Sequence, residues 1–435
     1  MPQTTVPDHR GRSERPGDPE APGRSEAPDS PGLPGPSGGG AGEPPRFPLP
    51  NTTPWLPAPG FAPLREERPL CPVRLPTGSD AVLVTGYADN RALLADERFS
   101  RAAAARAGAP RARRIPLDST SLTTLDGAEH ARLRSAVARA FTHRRVKALA
   151  PVVRAEADRW AAGLARAGRP ADLVAGFTRP FSLGVIGGLL GVSVPDLPAF
   201  RAMTEAYLSV DGHTPEEMLR AVAGLKELLG EVVARRRAEP TDDVLGVLAA
   251  DGGATALSDA EIVTFGTTLL VAGYETTAAL IANAAVALFT HPEQWAAVRT
   301  AGGLSPRAVE ELLRYTAISV GGGTLRVTVE EVGLPGGTVP SGIAVQPATT
   351  AANRDPRVFD DPDVLDLERA HNPHLAFGHG VHYCLGANLA RLELTAAFEA
   401  LLDRFPGLAP AEPPERLRWE ERKMIRGPLA LPVTW

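Results

Sequence analysis

The segment 377–386, FGHGVHYCLG, contains the side chains of this sequence that are best placed to do chemistry. Cys384 stands directly before an apolar helical repeat that begins at Leu385, so the free backbone N–H groups of a helix start face its sulfur. Such a position favours the thiolate, which acts as a nucleophile or as a metal ligand. Gly380 and Gly386 leave room for something flat and bulky to approach the backbone, which favours a cofactor.

Two other interpretations of Cys384 stay open at this point. An ordinary buried cysteine is the first, since free cysteine is among the most buried residue types. The second is zinc, because five potential ligands fall within 14 residues: His371, His374, His379, His382 and Cys384. The spacing does not favour zinc, since structural sites generally take a second ligand pair and the other cysteine, Cys71, lies in a Pro-flanked N-terminal segment.

A long apolar run, 262–290, carries polar residues in its middle. Ala272 and Thr276 lie on one face of a helix, and the small Gly273 stands beside them. The Thr276 hydroxyl can bond back to the carbonyl of residue 272 or turn toward a ligand, and Glu275 supplies an ionisable group for proton delivery. Polar groups in such a run cost free energy, so we interpret them as functional.

Two charged pairs also have helical spacing. His130 and Arg134 are four residues apart, so both can reach one anionic group. Glu311 and Arg314 are three apart on one helix face, and a buried pair of this kind needs further partners to offset its desolvation. Taken alone, each pair is more typical of a solvated helix surface.

The elements that position these residues are mostly helical. Apolar periodicity and capping residues predict helices over 126–166 (with a second start at Pro151), 181–191, 196–208, 215–238, 241–250, 262–290, 292–300, 305–316 and 385–405. Strands are predicted at 81–84 and between 324 and 345, and 101–121 is predicted to be a long loop. The fold class is therefore mainly α with a small β portion.

Composition separates a tail from a domain. The first 50 residues hold 13 of the 43 prolines and 9 of the 43 glycines, so residues 1–46 are predicted to be a disordered Pro/Gly-rich tail and 47–435 a single domain. A net charge of −5 provides no basic field for nucleic acid, and two cysteines fit a reducing compartment. No stretch approaches the roughly 18 apolar residues of a membrane span, so a cytoplasmic protein without a membrane partner is expected.

The residues around the cysteine resemble a known family. The pattern F-x-x-G-x-x-x-C-x-G is the haem-binding signature of the cytochromes P450, and its fixed positions are filled here by Phe377, Gly380, Cys384 and Gly386. The polar segment 272–277 and the pairs at 130–134 and 311–314 are similar to three further motifs, in the family's order. The resemblance implies a cytochrome P450 fold with haem between the long I-helix and the cysteine loop and L-helix.

The resemblance also implies residue roles. Cys384 would be the axial metal ligand, and haem propionates would be held by His130, Arg134, Arg326 and His382. Further cofactor contacts would come from the I-helix and from the loop, through Ala272, Gly273, Phe377, Gly380 and Gly386. Thr276 and Glu275 would be catalytic and organise proton delivery.

The implied function is a haem-thiolate monooxygenase. It would use haem b and O2 to insert one oxygen atom into a medium-sized hydrophobic substrate by hydroxylation or epoxidation, in the tailoring of a bacterial secondary metabolite. Electrons would come from NAD(P)H through a ferredoxin reductase and a ferredoxin, because the chain has no flavin- or dinucleotide-binding fingerprint. A monomer is expected. Oxidative ring coupling and a non-catalytic haem-binding protein are the alternatives.

Three finer expectations follow from the family pattern. Val364-Leu365 replaces the usual Arg-Phe, so the third partner of the Glu311–Arg314 pair is Arg357 or Arg369. The resemblance implies a substrate pocket lined by the loop 101–121, the helices near 176–215, the I-helix around Phe265–Thr276, the segment 317–324 and the turn near Met424-Ile425. The glycine run 321–323 is expected to enlarge or reshape this pocket. A docking face for an acidic ferredoxin is predicted, with a solvated helix face as the alternative, from five basic residues: Arg132, Arg139, Arg144, Arg145 and Lys147.

Overall fold

A computed structural model of the chain describes residues 43–112, 117–192, 197–208, 213–250, 252, 256–421 and 423–435. Most of the predicted tail, residues 1–42, lies outside the described residues. Packing begins just before the predicted boundary: Pro45 O accepts a hydrogen bond from Arg74 N–H at 2.9 Å, and Phe47 N–H donates to Arg74 O at 2.8 Å. The side chain of Phe47 is 2% exposed, so it belongs to the core.

The mainly α fold class is confirmed. The helices, in chain order, are α1 (Phe61–Glu67), α2 (Tyr87–Ala95), α3 (Arg101–Ala104), α4 (Gly127–Ala138), α5 (His143–Ala148), α6 (Ala150–Ala167), α7 (Arg179–Leu190), α8 (Leu197–Leu208), α9 (Pro215–Ala238), α10 (Val244–Ala250), α11 (Asp259–Phe289), α12 (Pro292–Ala301), α13 (Pro306–Tyr315), α14 (Thr349–Ala352) and α15 (Ala387–Arg404).

The β portion consists of short strands in three sheets. The strands are β1 (Leu70–Arg74), β2 (Asp80–Val84), β3 (Phe99–Ser100), β4 (Ala171–Asp172), β5 (Arg326–Thr328), β6 (Val332–Leu334), β7 (Gly337–Val339), β8 (Ala344–Pro347), β9 (Ala409–Pro410) and β10 (Pro432–Thr434). The largest sheet has the order β1-β2-β8-β5-β3, in which β2 and β8 run parallel and the other neighbours antiparallel. The other two sheets have the orders β4-β10-β9 and β6-β7.

The central helix α11 is the axis of the core. Ser258 and Glu261 form a capping box that starts it. Its residues 262–274 pack in one apolar cluster with α4, α7, α9 and α10, and its residues 280–289 pack in another with α6, α12, α13 and α15. The polar stretch 275–277 therefore falls between the two clusters.

The helix α11 also corrects one sequence expectation. It is long and apolar enough to cross a membrane by length and composition, contrary to the prediction that no stretch approaches such a span. However, 78% of its most apolar window is buried inside the protein, as is typical of a core helix. Its apolarity is used in packing.

Two other local differences have simple causes. The strand β1 was not predicted, because Pro72 and the flanking prolines hide its alternation, yet it pairs in full with β2. The predicted loop 101–121 begins with the short helix α3, whose N-cap Ser100 accepts a hydrogen bond from Ala103 N–H at 2.8 Å. That helix places Arg101 at the site described next.

Candidate active site

The loop before α15 is shaped around Cys384. The N–H of Cys384 donates to Phe377 O at 2.9 Å, which closes the loop. Gly380 has a φ of 72°, and a Cβ there would lie 2.6 Å from Leu94 O, so the turn requires glycine. At Gly386, the N-cap of α15, a Cβ would have no neighbour within 4 Å. The loop thus leaves open space beside the cysteine.

The thiol of Cys384 does not meet the expectation that its surroundings favour the thiolate. Part of the residue is open to solvent, but it sits deep among protein atoms, and this burial raises the pKa of the thiol. The Gly386 N–H and the charges of Arg134 and Arg391 act in the opposite direction and do not outweigh burial. A directly bound metal cation supplies the missing stabilisation, because a coordinating thiol loses its proton.

Four predicted side chains meet beside this loop. The rings of His130 and His382 lie 4.1 Å apart between centroids. Arg134, on the same helix as His130, donates from Nη2 to Tyr383 O at 2.6 Å. Arg326, on β5, is 2% exposed and close enough to His382 to lower the pKa of that imidazole. Elements far apart in sequence therefore bring these four residues to one place.

Asp126 is the acidic residue of this cluster. It lies 3.3 Å from His382 Nε2 through Oδ1, and its Oδ2 accepts hydrogen bonds from Ser100 Oγ at 2.7 Å and Ala102 N–H at 2.8 Å. Burial alone would raise the pKa of Asp126, but these hydrogen bonds outweigh it and hold the pKa at about 2. Burial lowers the pKa of His382 to about 4, although Asp126 opposes that shift.

The cluster contains more positive charge than Asp126 can balance. Arg101, which the sequence analysis missed, joins it on α3, and burial together with Arg326 and Arg134 lowers the pKa of Arg101 to about 9. Burial likewise lowers the pKa of Arg326 to about 10. In this cluster, four buried donor-capable atoms have no hydrogen-bond partner among the described residues: His130 Nε2, Arg101 Nε, Arg326 Nε and Arg326 Nη2.

The unpartnered atoms of this cluster bear on whether its residues fit haem. Buried cationic donors without acceptors are costly, and they match an anionic ligand with several acceptor oxygens. The two propionates of haem are such a ligand, and the open space at Gly386 beside Cys384 suits its flat ring. The residues present therefore fit the group that the sequence pattern implies.

The face of α11 opposite the loop carries Thr276 and Ala272. The Thr276 hydroxyl donates back to Ala272 O, one turn earlier, so it takes the first of the two conformations expected from the sequence. Ala272 is exposed, although most residues of this helix are buried. Gly273 lies elsewhere on the helix, because a Cβ there would come within 2.8 Å of Ile186 Cδ1 on α7. Gly273 therefore permits close helix packing, and its contact with a cofactor stays a prediction.

Glu275 points away from Thr276. Its carboxylate is 9% exposed and accepts a hydrogen bond from Lys423 Nζ at 3.2 Å, an ion pair that the sequence analysis missed. Both Glu275 and Thr178, whose buried hydroxyl has no partner among the described residues, line a small cavity of about 20 Å³ with Arg179. That volume is enough for about one water molecule.

A cavity of about 400 Å³ lies between α11 and the cysteine loop. Thr276, Thr277 and Leu280 form one wall, and Ala376 and Phe377 form another. Three further segments close the cavity, and each overlaps a range that the family resemblance implied: 110–112 with Leu117, 316–325, and the turn with Met424 and Ile425. No described residue of α7 or α8 lines it, contrary to the expectation for 176–215.

The glycine run in that wall does not enlarge the cavity as expected. A Cβ at Gly321 would lie 2.7 Å from Phe47 Cζ, one at Gly322 would lie 2.2 Å from Thr349 Oγ1, and one at Gly323 would lie 2.7 Å from Pro347 Cβ. The missing side chains therefore make room for the N-terminal segment, for β8 and for Thr349 on α14, which itself lines the cavity.

The Glu311–Arg314 pair is a buried structural network. Both side chains are 0% exposed, and Arg314 donates to both carboxylate oxygens, at 2.7 and 2.8 Å. Of the two candidate third partners, Arg369 is the one present, with Nε 3.1 Å from Glu311 Oε2. Arg357 pairs with Asp355. The network ties α13 to the segment that leads into the cysteine loop.

The zinc interpretation is not supported. His374 Nε2 lies 3.0 Å from Glu310, and His382 faces Asp126 and His130, so the candidate ligands point to different partners. Across the part of the chain that the structure describes, no group of three or more His, Cys, Asp or Glu residues converges on a metal position.

The predicted docking face is partly neutralised. Arg132 contacts Glu129 and Glu261, and Arg145 contacts Asp242. Arg144 and Lys147 remain exposed nearby.

Arg101, Asp126 and Lys423 had no local signal that identified them. The contact between Asp126 and His382 spans 256 positions, and that between Lys423 and Glu275 spans 148. The nearest signal in the sequence is that Asp126 starts the predicted helix 126–166 and is followed four residues later by His130.

Comparisons with known proteins identify the family of the chain. The family model for Cytochrome P450 matches residues 304–428. The chain is 48% identical over 378 residues to nocardicin C N-oxygenase of Nocardia uniformis subsp. tsuyamanensis, covering 87% of this chain and 95% of that protein. It is 43% identical over 376 residues to mycinamicin IV hydroxylase/epoxidase of Micromonospora griseorubida, covering 86% and 94%. The crystal structure of the LnmA cytochrome P450 hydroxylase from the leinamycin pathway of Streptomyces atroolivaceus superposes with a TM-score of 0.83 at 43% identity, covering 90% of this chain and 100% of that chain.

Proposed function

Since the chain belongs to the cytochrome P450 family and is a monooxygenase of that family, we propose that it inserts one oxygen atom of O2 into a medium-sized, mostly apolar substrate. The reaction consumes two electrons and two protons, and the second oxygen atom leaves as water. The relatives named above act on secondary metabolites such as nocardicin C and mycinamicin IV. We propose a substrate of that kind here.

One observation carries the proposal. A single cavity is walled by the cysteine loop on one side and by Thr276 on α11 on the other. Thus a group held at Cys384 and a substrate in the cavity would share one space. The lining is largely apolar, with Leu280, Leu313 and Ile318 among its residues, which suits an apolar substrate body.

Haem, when bound, supplies O2 activation, with the thiolate donating electron density that favours O–O cleavage. In this chain Cys384 would hold the iron, and His130, Arg134, Arg326 and His382 would hold the propionates. Arg101 adds a third arginine at the same place. The unpartnered donors of this cluster support that assignment.

The chain's own residues would also manage protons. The Thr276 hydroxyl lies on the cavity wall, where a proton must be delivered. Glu275, one residue earlier, faces the small polar cavity behind α11. We assign to Glu275 the uptake of protons from that side and to Thr276 their placement at the cavity.

Electrons would come from NAD(P)H through a ferredoxin reductase and a ferredoxin in the cytoplasm, with the enzyme acting as a monomer. Exposed Arg144 and Lys147 support an acidic partner at that face. Because Arg132 and Arg145 already have acidic neighbours, we expect this attraction to be modest.

The proposal is tested by the spectrum of the reduced protein under CO. We expect the red-shifted Soret band of a thiolate complex in the native protein, and its loss in Cys384→Ala. The matched control is Cys71→Ala, since Cys71 is a buried cysteine on β1 away from the site, and it should keep the band. A Cys384→Ala variant with an unchanged band would refute the assignment.

A further inference from the structure

The cavity of about 400 Å³ between α11 and the cysteine loop has one charged residue in the described part of its wall. Of the described residues that line it, Arg111 is the only one with a formal charge, and none is Asp or Glu. Arg111 is half-buried, and its carbonyl accepts a hydrogen bond from Thr77 Oγ1 in the turn between β1 and β2. The backbone of Arg111 is therefore tied to the sheet at the edge of the cavity.

The neutral polar groups of the wall are mostly bonded within the protein. Thr349 Oγ1 donates to Gly322 O at 2.6 Å, and Gln346 Nε2 donates to Gly323 O at 2.7 Å. Thr316 Oγ1 donates to Leu312 O at 2.7 Å. The hydroxyl of Thr350 is buried without a partner among the described residues. Most of the wall's polarity is thus unavailable to a ligand.

The guanidinium of Arg111, in contrast to these polar groups, is not bonded within the described part of the protein. It forms no ion pair or hydrogen bond with any residue the structure describes, whereas the buried arginines elsewhere, such as Arg314 and Arg354, bond to acids or carbonyls. An arginine that lines a largely apolar cavity and has no counter-ion among the described residues is available to pair with an anionic group of a ligand. The planar fork of arginine matches a carboxylate through two parallel hydrogen bonds.

We propose that the substrate carries a carboxylate that pairs with Arg111, so that the apolar body of the substrate extends from this anchor toward Thr276. The inference rests on the proposed monooxygenase function, and it narrows the substrate class from apolar molecules to amphiphilic acids. Arg111 would act in binding and orientation, and it would decide which carbon or nitrogen atom reaches the reacting end of the cavity.

The test uses probes that bind through a known group. A series of ω-(imidazol-1-yl)alkanoic acids of increasing chain length, and their methyl esters, is titrated into the haem-loaded protein, with the spectral shift of imidazole ligation as the readout. At the chain length that spans the cavity, we expect the acid to bind about tenfold or more tightly than its ester, the size expected for one charge-assisted hydrogen-bonded pair.

Variants locate the effect. Arg111→Gln should remove the preference for the acid and leave the affinity for the ester unchanged, which also shows that the variant is folded. Arg111→Lys should keep part of the preference. Arg106→Gln is the matched control, because Arg106 is an exposed arginine near the start of the same loop that does not line the cavity, and it should behave like the native protein.

The outcomes separate this inference from the proposed function. Without a thiolate-type CO spectrum or any imidazole shift, the proposed function fails. With both present, equal affinity for acid and ester at every chain length would overturn the inference. A preference for the acid that survives Arg111→Gln would equally overturn it.

Discussion

Replacing Glu311 with glutamine tests the buried network that joins α13 to the segment before the cysteine loop. The carboxylate accepts hydrogen bonds from Arg314 at 2.7 and 2.8 Å, from Arg369 Nε at 3.1 Å, and from Asp366 N–H and Asn372 Nδ2 at 3.0 Å each. The side chain of Arg314 is 0% exposed and that of Arg369 is 9% exposed. Glutamine keeps the shape, removes the charge and turns an NH2 group toward these donors.

The expected cost is large because two buried cations lose their counter-ion together. Removal of one partner from a buried ion pair costs about 3–5 kcal/mol. A domain has a total stability of about 5–15 kcal/mol, so this one substitution would remove about a fifth or more of it. We expect Glu311→Gln to fold with a strongly lowered unfolding midpoint and to retain haem less well, since the network supports the loop.

Equilibrium unfolding in urea, followed by far-UV ellipticity and by haem absorbance, measures this cost. Glu368→Gln is the matched control: Glu368 lies on the same segment, is 76% exposed, and approaches Arg307 only to 3.8 Å. Its midpoint should match that of the native protein, since surface substitutions change stability by at most about 0.5 kcal/mol. If the two variants unfold at the same urea concentration, the reasoning about the buried charges is wrong.

Three other predictions concern the site. Burial holds the pKa of His382 at about 4 in the fold against 6.5 in the unfolded chain, so between these pH values only the unfolded chain binds the extra proton. The free energy of unfolding of the haem-free protein should therefore fall as the pH drops through this window. Urea titrations of His382→Gln should lack that part of the loss. The double variant Arg134→Ala, His130→Ala should release haem to apomyoglobin several times faster than the native protein, and an unchanged rate would contradict the propionate assignment. Thr276→Ala should bind haem and substrate normally but consume NAD(P)H with release of hydrogen peroxide in place of oxidised product. Glu275→Gln should slow turnover with an intact ferric spectrum. If Thr276→Ala couples NAD(P)H consumption fully to product formation, the assigned proton route is refuted.

The sequence predicted the site best where its chemistry is local. The fixed positions of the cysteine loop lie within ten residues, and the turn at Gly380 and the loop closure between Phe377 and Cys384 follow from that short segment. Most helices were predicted to within a few residues, because apolar periodicity and capping boxes such as Ser258 to Glu261 are also local.

Other features depend on contacts that no local pattern records. The ionisation of Cys384 was expected from the helix start alone, but burial by distant elements reverses the direction of the pKa shift. Arg101 and Lys423 reach the site only after chain segments far apart come together. The glycines at 321–323 illustrate the same limit, since their number is visible in the sequence but the neighbours they accommodate are not.

The contact between Phe47 and Gly321 makes the N-terminal part of the described chain a part of the catalytic architecture. Phe47 lies behind the backbone that forms a wall of the cavity. Removal of the chain up to and including Phe47 would therefore change how a substrate fits the cavity. Loss of a buried phenylalanine side chain costs about 3–5 kcal/mol, and here the void would open directly behind a wall of the cavity. Expression of this enzyme from a start site downstream of Phe47 would therefore yield a protein with altered substrate selectivity. The choice of N-terminus is thus a means of engineering that selectivity.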